Sequence, residues 1–401
     1  MKSEFEILNK HVFVTKLAGF EHSKYIQHNE TKNKNNETDI PLVQGKNIRN
    51  GEFVEEFDWY INEDISNNLK RSKLEKDCIL IPYVGSNLGE VGIFYHKYDC
   101  HLASNIAKIE LIDDYFDLDY LKYYFQSDLG QSYLFKDKQG SAQPNITMDS
   151  IRNTPVLNIS KKEQLKISKI IKGIENKIGI NIEIVKDTEK ILNQSFDYYF
   201  KPEIFKENTR DKIKNLFLLL NGFPFSTSDY VKNGKYKIYT IKNVQDNKII
   251  SKVENYIDKL PQNIPAECIL KPKDILLSLT GNVGRVGVVY EDGVLLNQRV
   301  LKIIPRKDIG VAFTYCFFKD SYIRKMCENL STGTSQKNLS PENIANIGIN
   351  IPPLNKIAKF NSKFDKFIQV IVDSYSEIEE LTCLKKILLQ LIFDKKIKLE
   401  D

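Results

Sequence analysis

The sequence predicts an α+β protein: two repeated, mixed α/β globular domains joined by two long antiparallel coiled-coil helices, with internal pseudo-two-fold symmetry. Three observations predict it. A collinear series of motifs occurs twice in the 401 residues. Each copy ends in a long stretch of good helix formers whose apolar positions alternate by three and four. Before each stretch lie short runs rich in β-branched and aromatic residues, separated by glycine turns.

The repeat comes first, because a missed repeat mis-assigns the whole fold. Gly140-Ser-Ala-Gln143-Pro-Asn145-Ile146-Thr147 matches Gly333-Thr-Ser-Gln336-Lys-Asn338-Leu339-Ser340, 193 positions later. The offset persists downstream, where Ile151, Asn153 and Val156 meet Ile344, Asn346 and Ile349, and upstream, where Tyr123-Tyr124-Phe125 meets Cys316-Phe317-Phe318. Farther upstream it drifts by a few residues, as loop insertions require. Lys46-Asn47-Ile48 answers Lys242-Asn243-Val244, Asp77-Cys-Ile-Leu80 answers Asp274-Ile-Leu-Leu277, Gly89-Glu-Val91-Gly92 answers Gly284-Arg-Val286-Gly287, and Gly19-Phe20 answers Gly222-Phe223.

The strand runs expected are Val12–Val14, Cys78–Ile81, Ile93–Tyr95, Lys237–Ile241, Ile275–Leu279 and Val286–Tyr290. Tyr120–Phe135 and Phe313–Leu330 read as single helices lying on those sheets, and the Asn/Lys-rich stretch 29–38 as a surface loop. Next come the long helices, over residues 161–200 and 354–401. Ile167, Ile171, Ile174, Ile178, Val185 and Leu192 form one stripe, interrupted by Asn181 and Thr188. Ile357, Phe360, Phe364, Phe367, Ile371, Ile378, Leu381 and Leu388 form the other, interrupted by Ser374 and Lys385. Such a narrow stripe suits a coiled coil. Helices of this length span roughly 60 Å at ~1.5 Å per residue. The expected domains are therefore 1–160 and 201–353, with the helices as spacers.

Composition narrows the function classes. There are 58 Lys+Arg against 53 Asp+Glu, a net charge of +5. This permits nucleic acid as a partner without arguing for it, since charge on one face matters more than the sum. The six cysteines form no C-x-x-C pair and no His stands at ligand spacing, which disfavours a zinc site or disulfide framework and favours reduced thiols in the cytoplasm. The charged N-terminus, Met-Lys-Ser-Glu-Phe-Glu, lacks a signal-peptide pattern, and no run approaches the ~18–20 apolar residues of a membrane span.

The Gly-x-x-Gln-x-Asn-[Ile/Leu]-[Thr/Ser] turn, a helix start carrying Ile and Asn, a strand ending Ile351-Pro-Pro-Leu354 and a long helix together resemble the recognition-domain ending of type I restriction–modification specificity (S) subunits. The glycine turns 89–92 and 281–287 are similar to that family as well. The first copy departs from the pattern, with Asn158-Ile-Ser160 in place of the prolines. The resemblance covers essentially the whole chain, in order and twice. It implies that each globular half is a target-recognition domain reading one half of a split double-stranded DNA site. It also implies that the helices set the separation and dock two methyltransferase subunits, joined by a translocating, cutting subunit where the system restricts. The chain itself would then hold no catalytic site and no cofactor, with S-adenosylmethionine on the methyltransferase partner.

Chemistry of the chain's own finds little support. There is no Asn/Asp-Pro-Pro-Tyr/Phe pocket for a flipped base and no G-x-G-x-x-G after a strand. Gly281-x-x-Gly284-x-x-Gly287 has the wrong spacing for a nucleotide loop, and Glu30-Thr-Lys32 has no acidic partner before it to hold a nuclease metal. The five histidines all precede residue 102 and form no evident triad.

Reading DNA requires Arg, Lys, Asn or Gln at base edges and cations at phosphates. The candidates are Lys46, Asn47 and Arg49, with Lys242 and Asn243 in the equivalent turn. Ser86, Asn87, Asn282 and Arg285 lie in the glycine loops. Arg299 stands before a strand, with Ser104-Asn105 as its counterpart. Gln143, Gln336 and Lys337 lie in the repeated turn. Asparagine also fills turns and caps helices, and either glutamine equally suits a backbone hydrogen bond, so a structural role stays open for each. Base-reading residues should differ between halves that read different sequences. If the surfaces face one side of the duplex they fall about one helical turn, roughly 10 bp, apart. Two other readings remain: the same fold in a methylation-only or other DNA-defence complex or a silent copy of a shuffling locus, and a structural coiled-coil repeat protein without DNA function.

Overall fold

The computed structural model of the chain describes residues 4–32, 34, 36–136, 145–204, 211–306, 308–333 and 337–395. They form two compact units, one built from 1–176 with 383–401 and the other from 177–382. Each long helix contributes a segment to each unit.

In the first unit a four-stranded antiparallel sheet runs in the order Val12–Lys16, Ile106–Leu111, Cys78–Pro82, Gly92–Phe94. Side chains alternate across a strand, and both faces of this sheet are covered. Ile79 and Ile81 join Tyr120, Leu121 and Tyr124 in one core, whereas Cys78 and Leu80 join Ile40, Leu42 and Leu102 in another. The second core is closed by a smaller sheet ordered Tyr60–Ile61, Ile40–Val43, Cys100–Leu102, Lys73–Leu74, in which the middle pair is parallel. Burial on both faces explains why Cys78–Ile81 reads as an unbroken apolar run.

The second unit repeats this plan. Its antiparallel sheet is ordered Phe217–Asn221, Val300–Pro305, Ile275–Ser278, Val286–Val288. Its smaller sheet is ordered Tyr256–Ile257, Tyr236–Tyr239, Leu295–Leu296, again with one parallel pair. Glycines keep the same packing in both. A Cβ on Gly92 would lie 3.0 Å from the backbone of Glu52 and Phe53, and one on Gly287 would lie 3.0 Å from the backbone of Lys248.

The helices on the sheets differ from expectation. Tyr120–Phe135 is two helices, Leu118–Gln126 and Asp128–Leu134, broken where the Ser127 Oγ accepts from Gly130 N at 3.1 Å and donates to Tyr124 O at 2.6 Å. Phe313–Leu330 likewise splits into Val311–Lys319 and Ser321–Leu330 at Asp320, whose carboxylate caps Tyr322 N at 2.7 Å. Both breaks are side-chain N-caps, which satisfy free amides of a new helix. In the polar stretch 29–38, Thr31 is held by an antiparallel bridge to Tyr60.

The long helices run Lys161–Ile204 and Leu354–Phe393. In the second unit they are antiparallel: Asn181 Nδ2 donates to Glu377 at 2.8 Å, Lys356 Nζ pairs with Glu203 at 2.7 Å, and the Phe200 and Phe360 rings meet at 5.1 Å. The expected stripe is the buried one, with Val185, Leu192, Ile357, Phe360 and Ile371 in the core and the interrupting Asn181, Thr188 and Ser374 buried beside them. In the first unit Phe393 packs on Tyr120 and Tyr124, and Lys385 bonds Glu175 at 2.5 Å.

Candidate nucleic-acid interface

The turn around Asn47 recurs bond for bond around Asn243, 196 positions later. Asn47 Oδ1 accepts from Gln44 N at 2.8 Å, and its Nδ2 donates to Val54 O and Glu56 O at 2.9 and 2.8 Å. Asn243 Oδ1 accepts from Thr240 N at 3.0 Å, and its Nδ2 donates to Ile250 O and Lys252 O at 2.7 and 3.0 Å. Both side chains are buried, with their amide groups committed to backbone. The expectation that Asn47 and Asn243 touch bases is therefore corrected: they tie down the hairpins Ile48–Phe53 and Val244–Ile249. Asn87 is corrected in the same way, since its Nδ2 donates to Gly45 O at 2.9 Å and Ile48 O at 3.0 Å, stapling the glycine loop to the turn.

The cations of these turns are exposed but not free. Lys46 pairs with Asp58, and Lys242 pairs with Glu254 at 2.7 Å, the same pairing in each unit at the same 12-residue separation. Arg49 pairs with Glu56 at 2.8 Å. Arg285 is largely withdrawn: Nη1 donates to Gln245 Oε1, and Nε lies 3.6 Å from Asp246, which also takes Arg324 at 2.6 Å. Ser86 and Asn282 stand exposed at the tips of the glycine loops.

A second cluster forms where one end of each large sheet meets the repeated Gly-x-x-Gln turn. In the second unit Leu279 N donates to Arg299 O at 3.1 Å, Leu339 N to Leu279 O at 2.8 Å and Gly281 N to Lys337 O at 2.9 Å. Arg299 and Lys337 are both exposed there, and the Arg299 guanidinium has no ion pair among the described residues. Gln143 and Gln336 lie outside the described residues. Sequence reading did not single out Lys16, Tyr83 or Asn221, which share these sheet ends; only strand register reveals them.

Several titratable groups elsewhere are buried. Five of the six cysteines are buried, and burial pushes the thiols of Cys316 and Cys327 up to about 12. His101 is fully buried, its Nδ1 donating to Leu102 O at 2.9 Å and its Nε2 lying 3.3 Å from Ser72 Oγ, and burial lowers it to about 4. Among the described residues no group of three or more His, Cys, Asp or Glu could hold a metal ion, and no helix is long and apolar enough to cross a membrane.

Known proteins resemble this chain in sequence and in fold. The type I restriction modification DNA specificity domain matches residues 14–190 and again 206–380. A protein assigned as the MjaX type I restriction enzyme specificity subunit of Methanocaldococcus jannaschii is 23% identical over 367 residues, covering 85% of this chain and 83% of that one. The crystal structure of a type I restriction-modification S subunit from M. genitalium superposes with a TM-score of 0.59 at 14% identity, covering 99% of this chain and 96% of that chain.

Proposed function

The chain belongs to the type I restriction–modification DNA specificity family, as a non-catalytic recognition subunit, and from that premise we propose how its parts divide the work. The domain 1–160 reads one block of a bipartite DNA target and the domain 201–353 reads the other. The helices 161–200 and 354–401 space them and dock two methyltransferase subunits, on which S-adenosylmethionine is bound. Restriction and translocation belong to a further subunit, and the assembly works in the cytoplasm.

The observation that carries the division is the duplicated scaffold: the same sheet order, the same asparagine staple and the same Lys–carboxylate pair occur in both units, with other exposed side chains between them. A frame that is constant while its surface changes suits two readers of different sequences along one chemically uniform backbone. The DNA-facing groups are assigned to Lys46, Arg49, Ser86, Lys242, Asn282, Arg299 and Lys337, with Arg285 left to brace the hairpin through Gln245 and Asp246. Docking of the methyltransferase is assigned to a second stripe on the central helix, where Ile180, Ile184, Ile191 and Tyr198 stand 55, 38, 44 and 81% exposed at steps of four, seven and seven. Such heptad spacing suits a partner helix.

The test is to express the chain with its neighbouring methyltransferase subunit in a host lacking modification and to map modified bases. The expected outcome is a new split motif that requires this chain and changes in one block when residues 1–160 are exchanged. Absence of any methylation from a stable complex points to a silent copy or another partner. Absence of a complex favours a structural repeat protein.

A further inference from the structure

We infer that Asn105 and Arg299 are equivalent base-reading residues, Asn105 reading an adenine in one block and Arg299 a guanine in the other; this rests on the division of labour proposed above. The frame around them is the same. Tyr83 N donates to Asn105 O and Ile146 N to Tyr83 O, both at 3.0 Å, matching the Leu279–Arg299 and Leu339–Leu279 bonds of the second unit at 3.1 and 2.8 Å. Register adds a neighbouring strand end: Lys16 lies opposite Ala107, and Asn221 lies opposite Leu301. Ile106 and Val300 in turn face Pro82 and Ser278, so the strand ends of the two units correspond residue for residue.

On this common frame the side chains diverge. Lys16 is replaced by Asn221, Tyr83 by Leu279 and Asn105 by Arg299, while Asn145 and Asn338 keep their identity. The hairpin turns keep one ion pair in both units, Lys46–Asp58 and Lys242–Glu254, although Arg49 and Glu56 give way there to Gln245 and Lys252. A contact to phosphate is the same in both blocks; a contact to a base is not. Of the divergent residues, Asn105 and Arg299 are exposed in their respective units, and their divergence on a shared backbone locates discrimination at the sheet end, while the two lysines retained in the turns suit uniform phosphate contact.

The chemistry of the two residues fits. Asn presents a donor and an acceptor that match the N6 and N7 of adenine, and Arg presents two donors that match O6 and N7 of guanine. Both side chains are exposed. The left-handed backbone of Asn105, at φ 73°, is one that asparagine accepts readily.

The experiment is methylome mapping and methylation kinetics of the complex with the methyltransferase subunit, comparing wild type with Arg299→Ala and Asn105→Asp. The aspartate keeps the tolerance for left-handed backbone but loses the donor. Arg299→Ala is expected to relax one G·C pair in one block, lowering methylation of the original site by roughly ten- to a hundredfold while the other block stays unchanged. Asn105→Asp is expected to relax an A·T pair in the opposite block. Thermal unfolding of both variants separates misfolding from altered reading. An unchanged motif and rate, or a uniform loss over all sequences as a phosphate contact gives, overturns the inference. A wild-type complex that produces no split motif overturns instead the division of labour beneath it.

Discussion

Asn47 and Asn243 show what one side chain does when it is placed inside a turn. Each closes a seven- to nine-residue excursion by donating to two carbonyls and accepting one amide, out of contact with water. Replacement by alanine leaves buried carbonyls and an amide without partners, at about 1–3 kcal/mol for each group stranded. Asn47→Ala and Asn243→Ala should each lower the thermal midpoint of the complex by several degrees, which calorimetry measures. The sequence marked both positions, because Lys-Asn-Ile and Lys-Asn-Val occupy equivalent places. It did not reveal their direction: the carbonyls they hold belong to residues 54, 56, 250 and 252, and nothing local in a turn says whether its asparagine points in or out. His101 supplies a pH dependence. Its neutral form is kept by burial, with a pKa of about 4, against 6.5 for an unfolded histidine. The unfolded chain thus takes up a proton first as pH falls. Stability from this residue is complete above pH 6.5, declines between 6.5 and 4, and changes no further below, for a total of about 3 kcal/mol. Unfolding midpoints measured from pH 7.5 to 4 should show that decline, and His101→Asn should flatten it.

At the scale of the elements, periodicity found the long helices and misjudged the short ones. The stripe of threes and fours extends for eleven turns or so, too long for chance, and its buried face is the one the pattern named. Tyr120–Phe135 has an equally apolar pattern, yet one cap at Ser127 redirects the chain. The reason lies at Gly130, where a Cβ would come within 2.0 Å of Tyr124 O: the second helix crosses the first too closely for any side chain. The interruptions of the long stripe are explained by what they bond. Asn181 reaches Glu377, and Lys385 reaches Glu175. Glu175 also takes Lys122 Nζ at 3.0 Å and Tyr123 Oη at 2.7 Å. Burial raises its pKa, but the attraction of Lys122 and Lys385 prevails and holds the carboxyl below the ordinary range. Polar groups at a helix seam commonly fix register. Removing the shared carboxylate strands the Lys385 ammonium and leaves Lys122, only 5% exposed, with the more exposed Glu52 as its remaining carboxylate partner. Glu175→Ala should therefore cost about 3–5 kcal/mol, whereas the Glu175/Lys122/Lys385 triple change to Leu, Met and Met should recover most of it. A double- and triple-variant series in chemical denaturation distinguishes this cluster from an ordinary surface pair.

Across the whole molecule positive charge is modest, and much of the basic surface on the candidate turns is answered by the chain's own carboxylates. A net charge of +5 is spread over a chain in which Lys46, Arg49 and Lys242 already face Asp58, Glu56 and Glu254. For a lysine to reach a phosphate it must leave its carboxylate, which then recruits a cation from solution. The counterion released from DNA by that lysine is offset by the one taken up, so the contact contributes little to the salt dependence. Removing the carboxylate restores a release of about 0.9 ion per phosphate neutralised. The complex carrying Asp58→Asn and Glu254→Gln should thus bind both its target and unrelated duplex more tightly. The gain should be between about twofold and thirtyfold for two exposed pairs worth roughly 0.2–1 kcal/mol each. The plot of log K against log salt should steepen by between one and two. Because the pair is the same in both units, each single change should supply about half the effect and neither should alter the methylated motif. A change of motif would move base reading into the turns; an unchanged salt slope would mean that these lysines do not meet phosphate at all.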